Sequence, residues 1–214
     1  MIDILDALTE QRILPLLVVD DPADAVPLGQ ALASAGVRLV EVAFRTPASL
    51  ESCAALCSEP ELCVGAGTVL RPQQVTQAAE AGAQFVISPG TSEAVLEACH
   101  RHGVAAIPGV ATATEIQRAT ELGARTLKFF PAERLGGVDM LSALSGPFPQ
   151  VAVVPTGGVD EDNMAQYLAM PNVAAVGGSW VAPRSAVRAH EFAHIAQMAA
   201  RALRSAATVV RSPG

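Results

Sequence analysis

Lys128 is the one lysine of the chain, set inside the apolar run Thr126-Leu127-Lys128-Phe129-Phe130, whereas every other permanent cation is an arginine. A charged amine in an apolar strand is costly unless it is paired or neutral. An amine without its proton offers a lone pair to a carbonyl carbon, the first step of Schiff-base chemistry. The plainer alternative is a strand-end lysine whose stem is buried and whose head reaches water. Apolar residues on both sides count against that alternative.

Glu41 interrupts a second apolar run, Leu39 to Phe44, and Arg45 follows four residues later. Strand side chains repeat every two residues, so Glu41 and Arg45 share a face. One reading is a buried structural Glu–Arg pair. The other is a carboxylate that moves protons beside an arginine that clamps an anion. Thr68 adds a hydroxyl at the end of Gly65-Ala66-Gly67-Thr68, whose glycines are expected to let a substrate approach the backbone. Thr156-Gly157-Gly158 and Gly177-Gly178-Ser179 come late in the chain. One Gly-Gly is an ordinary turn. Two such pairs in adjacent loops, backed by a helix start, make an anion site from backbone N–H groups.

These groups need elements that bring them to one place. Apolar runs predict strands at about 13–19, 39–44, 63–69, 85–89, 105–109, 126–130, 151–156 and 173–178, with helical stretches between. Their starts lie about 20–26 residues apart, the length of a strand-loop-helix unit. Eight such units predict a single (β/α)8 barrel over residues 1–214, with reactive groups at the C-terminal strand ends. Gly36, Gly82, Gly103 and Gly123 stand where helices should stop, and Thr112 where one should start. An extra amphipathic helix is expected at about 2–11, and a frayed tail from about 208.

Composition narrows the class. Half the residues are apolar, 16% are charged, and the net charge is -7 with scattered arginines. A sizeable core is expected, and a nucleic-acid partner is not. No apolar run approaches a membrane span of roughly 18 residues, and the acidic start Met1 to Glu10 is unlike a signal peptide. A cytoplasmic protein is expected. Cys53, Cys57, Cys63 and Cys99 lack metal-ligand spacing and are read as small buried thiols. His190-Glu191-Phe192-Ala193-His194 matches H-E-x-x-H. It lies on the last helix, remote from every strand-end group and with no further ligand after it, so it is read as chance; no metal or cofactor is expected.

In several of these segments the sequence resembles the 2-keto-3-deoxy-6-phosphogluconate aldolases, many of which also cleave 4-hydroxy-2-oxoglutarate. The resemblance lies in Glu41-Val42-Ala43-Phe44-Arg45-Thr46, Gly65-Ala66-Gly67-Thr68-Val69, Ile87-Ser88-Pro89-Gly90 and Ile107-Pro108-Gly109-Val110. It continues in Leu127-Lys128-Phe129-Phe130-Pro131-Ala132-Glu133, Pro155-Thr156-Gly157-Gly158-Val159 and Gly177-Gly178-Ser179-Trp180, in order over about residues 13–182. It implies Lys128 as Schiff-base lysine and Glu41 as general acid/base. Arg45 and Thr68 would hold the pyruvate carboxylate, Pro89 and Phe130 would line the pocket, and Thr156 would meet the substrate hydroxyls. Gly157, Gly158, Gly178 and Ser179 would bind the phosphate. It also implies a metal-free homotrimer.

Three positions bear on details. Phe44 stands where a smaller aliphatic residue is usual, and strand parity turns it outward. Asp20-Asp21 stand where relatives carry basic residues, which alters local charge. The galactonate branch of the family lacks the threonine that Thr156 provides, so the resemblance implies the gluconate epimer. Two rival readings remain at this level: another phosphate-binding barrel (an isomerase or a transferase like thiamine-phosphate synthase), and a non-catalytic phosphosugar-binding protein. Neither accounts for the inner-strand Lys and Glu.

Overall fold

The structure, a computed structural model, describes residues 3–212. Helix α1 (Ile4–Gln11) is followed by β1 (Ile13–Leu17), a short 3-10 turn, α2 (Ala25–Ser34), β2 (Leu39–Ala43), α3 (Ser49–Cys57) and β3 (Cys63–Gly67). Next come α4 (Pro72–Glu80), β4 (Phe85–Ile87), α5 (Glu93–His102), β5 (Ala105–Ile107), β6 (Gly109–Val110), α6 (Ala113–Glu121) and β7 (Thr126–Phe129). The chain ends through α7 (Gly137–Ser145), β8 (Ala152–Pro155), α8 (Met164–Leu168), β9 (Val176–Gly178), α9 (Arg184–Arg188) and α10 (Phe192–Thr208). The four glycines expected to stop helices all have positive φ. Thr112 caps α6, its backbone N–H donating back to Glu115 at 3.0 Å.

The strands are shorter than the apolar runs. Residues such as Thr68, Pro89 and Phe130 fall just past a strand end, in the loops where chemistry can be placed. The run expected at 105–109 is divided into β5 and β6 at Pro108, which has no N–H to give to a ladder. Its carbonyl still accepts from Lys128 N at 2.9 Å.

The architecture is α/β with a curled parallel half-barrel of six strands, ordered β5-β4-β3-β2-β1-β9, and a second sheet β6-β7-β8. Isolated parallel bridges, Val153 to Val173 and Thr156 to Gly177, tie β8 to the segment that carries β9. At the other end of the strands a cleft of about 360 Å³ separates Val104–Ile107 from Ala124–Thr126.

Strand parity sorts the side chains into two cores. Val40, Val42, Val64, Leu127 and Phe129 face the helices and join Leu28, Leu32, Val95 and Ile195. Leu14, Leu39, Phe85, Ile87, Ile107 and Val154 point to the inside of the curl, where Ile4 and Leu8 of α1 seal one end. Burying such a side chain contributes roughly 1.5–3 kcal/mol. Helix α1 is therefore a plug, which its position before the first strand had not revealed. Ile2, expected within that helix, lies outside the described residues. Phe44 is half-buried and packs on the outer core, as parity required.

The segment expected to fray is attached as far as Ser212, whose N–H donates to Ala169 O at 2.8 Å. Arg12 donates to Val209 O at 2.6 Å and to Leu168 O at 2.9 Å. Pro213 and Gly214 lie outside the described residues.

Candidate active site

Lys128 and Glu41 come from different sheets and meet inside. Their Nζ and Oε1 atoms are 3.2 Å apart, with side-chain exposures of 4% and 0%. Parity explains the meeting: Glu41 is two residues above inward-facing Leu39, and Lys128 is two above Thr126. Glu41 Oε2 is buried without a partner among the described residues. An unsatisfied carboxylate oxygen in an apolar interior is costly, so it marks a place where a proton or donor is received.

The glycines of β3 serve a purpose different from the one expected. A Cβ on Gly67 would run into the Glu41 carboxylate, and one on Gly65 into the Phe85 ring. These positions make room for protein side chains rather than for an approaching substrate.

Arg45 lies beyond the end of β2 and is exposed. It does not pair with Glu41; its Nε donates to Thr68 Oγ1 at 3.0 Å. Thr68 has φ 58, a left-handed conformation that a β-branched residue rarely adopts. Strained residues of this kind collect at functional sites. The two side chains thus form one donor group at the mouth above Glu41.

Phe130 projects from the end of β7, its ring centroid 5.5 Å from Lys128 Nζ. The Pro89 carbonyl lies against Gly109, the register partner of Lys128. Buried Thr156, at the end of β8, fills the space over Gly177.

Gly157 and Gly158 follow with φ 95 and φ 83. The backbone N–H groups of Gly158 and Val159 have no partner among the described residues. Gly178 is covered by the Trp180 ring, and Ser179 is exposed beside it. The helix starts behind both loops belong to short α8 and α9, so the anion site expected there would rest on the loops themselves.

Asp20 ties the loop after β1 to α9, accepting from Arg184 Nε at 2.8 Å. That hydrogen bond holds the Asp20 carboxyl below its usual range. The charge of Asp20 is therefore matched locally, while Asp21 accepts from the Ala23 N–H and meets no cation among the described residues.

His190 and Glu191 precede α10, so His190 does not share a helix face with His194. His190 Nε2 contacts Asp24 Oδ1 at 3.1 Å instead. Cys53, Cys63 and Cys99 are buried free thiols, and Cys57 is half-buried. Sequence reading gave no role to Trp180, whose indole N–H is buried without a partner among the described residues, or to Glu133 and Tyr167. Glu133 ends the segment Leu127–Glu133, but only its contacts give it a meaning.

Known proteins of one family are similar to this chain in sequence and in fold. The sequence profile of the family described as KDPG and KHG aldolase matches residues 4–198. A 2-dehydro-3-deoxy-phosphogluconate aldolase of Treponema pallidum is 47% identical over 95% of this chain and 97% of its own. The KHG/KDPG aldolase of Escherichia coli K12 is 43% identical over 93% of this chain and 94% of its own. A KDPG aldolase of Legionella pneumophila, solved with pyruvate captured as a covalent carbinolamine, superposes with a TM-score of 0.90. It is 38% identical, with 94% of this chain and 98% of that one covered. The chain belongs to the KDPG and KHG aldolase family.

Proposed function

We propose that this aldolase cleaves 2-keto-3-deoxy-6-phosphogluconate to pyruvate and glyceraldehyde 3-phosphate through a Schiff base on Lys128. 4-Hydroxy-2-oxoglutarate, which would give pyruvate and glyoxylate, is the second substrate. The observation that carries the reading is the buried contact between Lys128 Nζ and Glu41 Oε1. Glu41 can take a proton from Lys128, and the free amine adds to the C2 carbonyl. Glu41 returns its proton to the carbinolamine hydroxyl, which leaves as water and gives an iminium. The iminium draws electrons from the C3–C4 bond as the C4 hydroxyl loses its proton. Glu41, directly or through a water, receives that proton. The aldehyde leaves, the enamine takes a proton at C3, and water returns to release pyruvate and the lysine.

Arg45 and Thr68 are assigned to the substrate carboxylate, Phe130 and Pro89 to the pocket wall, and Thr156 to the hydroxyls of the gluconate epimer. Gly157, Gly158, Gly178 and Ser179 are assigned to the phosphate, whose binding energy holds the reacting end in place. No metal or cofactor enters these steps. We take the two sheets together, through their bridges and the continuation of β5 into β6, as one closed (β/α)8 domain. The proposed assembly is a homotrimer in the cytoplasm, which sedimentation of the purified protein tests. No described helix is long and apolar enough to cross a membrane.

Incubation with pyruvate and borohydride should leave one reduced adduct, found on Lys128 by peptide mass spectrometry. Full turnover with Lys128 unlabelled would overturn the mechanism and favour another phosphate-binding barrel.

A further inference from the structure

We infer that Glu133, Asn163 and Tyr167 are positioning residues that hold the Gly157–Gly158 loop in its anion-binding form and thereby set the preference for a phosphorylated substrate. The inference rests on the reading of that loop as the phosphate end of the site.

Two consecutive glycines with positive φ have little conformational preference of their own, so something outside must hold them. The structure supplies three holds. Glu133 N donates to Gly157 O at 3.0 Å, and Asn163 Nδ2 donates to Gly158 O at 2.9 Å. The side chain of Glu133 also lies over Gly158, its Cβ only 2.6 Å from where a Cβ on that glycine would stand. In a trans peptide the carbonyl and the next N–H point opposite ways. Anchoring the carbonyls of Gly157 and Gly158 therefore aims the N–H groups of Gly158 and Val159 away from Glu133 and Asn163. Neither of those N–H groups has a partner among the described residues.

A carboxylate beside a phosphate loop is otherwise a liability, because like charges repel. Tyr167 answers it: its hydroxyl donates to Glu133 Oε1. The Tyr167 ring is fully buried in α8, the helix that follows the loop. Gly137 leaves the space this pair occupies, since a Cβ there would stand 3.3 Å from Glu133 Oε1 and 3.4 Å from Tyr167 Oη. Burial, then the neighbouring Glu133, push the Tyr167 phenol well above its ordinary range, so it stays a donor. The carboxylate is thus turned back toward α8 while its stem braces the glycine.

The two substrates provide the test, because one carries a phosphate and the other does not. Steady-state kinetics of wild type, Tyr167→Phe, Asn163→Ala and Glu133→Gln would be measured with 2-keto-3-deoxy-6-phosphogluconate and with 4-hydroxy-2-oxoglutarate. Tyr167→Phe and Asn163→Ala should raise KM for the phosphorylated substrate by about tenfold, the scale of one lost hydrogen bond. Kinetics on the unphosphorylated substrate should change by less than about twofold, and Glu133→Gln, which keeps an acceptor for Tyr167, should stay near wild type. Equal losses on both substrates, or no loss on either, overturn the inference. Asn163 is only half-buried whereas Tyr167 is buried, so the Asn163 variant decides the matter if Tyr167→Phe is poorly folded. Inorganic phosphate should inhibit wild type competitively against the phosphorylated substrate. If it does not, the phosphate reading of the loop falls and takes this inference with it. Competition with unchanged variants overturns the inference alone.

Discussion

Lys128 Nζ reaches across the interior from β7 to Glu41 Oε1 on β2, 3.2 Å away, while Glu41 Oε2 is buried without a partner among the described residues. Each member of the pair makes the burial of the other tolerable. Removing one partner from such a pair costs about 3–5 kcal/mol, because the remaining charge is stranded. Lys128→Met should therefore lower stability as well as abolish turnover. The double variant Lys128→Met with Glu41→Leu should recover most of the loss. Urea denaturation of the four proteins checks this, and strictly additive losses would show that the two side chains are not coupled.

Glu41→Gln separates proton transfer from covalent capture. Losing a general acid/base of this kind costs about 10²–10⁴-fold in rate. The amine itself is kept, so pyruvate with borohydride should still modify Lys128, only more slowly. Turnover within a few fold of wild type would remove Glu41 from the proposed mechanism.

Much of this pair was legible in the sequence, and the reason is instructive. Lys128 and Glu41 each break an apolar run, and strand parity alone turns both inward. The meaning of Gly65 and Gly67 was not legible, because a glycine records only that space is needed and not what fills it. Phe85 and Glu41 fill it. Likewise the fixed spacing of apolar runs suggested eight even strands, but the missing N–H of Pro108 divides one of them. The role of α1 as a plug depends on its docking against the open end of the strands, which periodicity cannot express.

Thr68 is held at φ 58, which costs on the order of 1–3 kcal/mol for a residue of its type. Thr68→Gly removes the strain and also the hydroxyl that accepts from Arg45 Nε. The variant should be more stable by about 1 kcal/mol and bind pyruvate more weakly. Thermal unfolding and the concentration dependence of borohydride trapping by pyruvate test both halves. A destabilised variant with unaltered trapping would contradict both.

The thiols give a pH dependence. Burial pushes Cys63 and Cys99 up from 9.0 to about 11, while the hydrogen bond from Cys53 pulls half-buried Cys57 down. At pH 8, iodoacetamide should modify Cys57 first and leave Cys63 and Cys99 largely untouched. For stability the sign follows from the raised values. The protonated thiols contribute fully below about 9, and the contribution is lost as pH rises through about 11. The unfolding midpoint should therefore fall between those values, and less so in a Cys63→Ala, Cys99→Ala variant. Labelling of Cys99 ahead of Cys57 would contradict the assigned order.

Gly67 and Gly65 offer a comparison in which similar overpacking has different consequences for function. A methyl group at either position collides with a neighbour, and overpacking of this kind costs about 1–3 kcal/mol. At Gly65 the neighbour is the Phe85 ring in the apolar layer beneath the site. At Gly67 it is Glu41, whose Cδ would lie 2.6 Å from the new Cβ. Glu41 can yield only by turning away from Lys128. Gly67→Ala should therefore lose kcat by at least about tenfold at a temperature where it is folded, since a small displacement of a proton-transfer group is enough. Gly65→Ala should lose comparable stability and keep most of its kcat. Circular dichroism fixes the folded fraction, and single-turnover pyruvate release then reports chemistry alone. If Gly67→Ala keeps its rate while folded, the exact placement of Glu41 against Lys128 does not govern the chemical step.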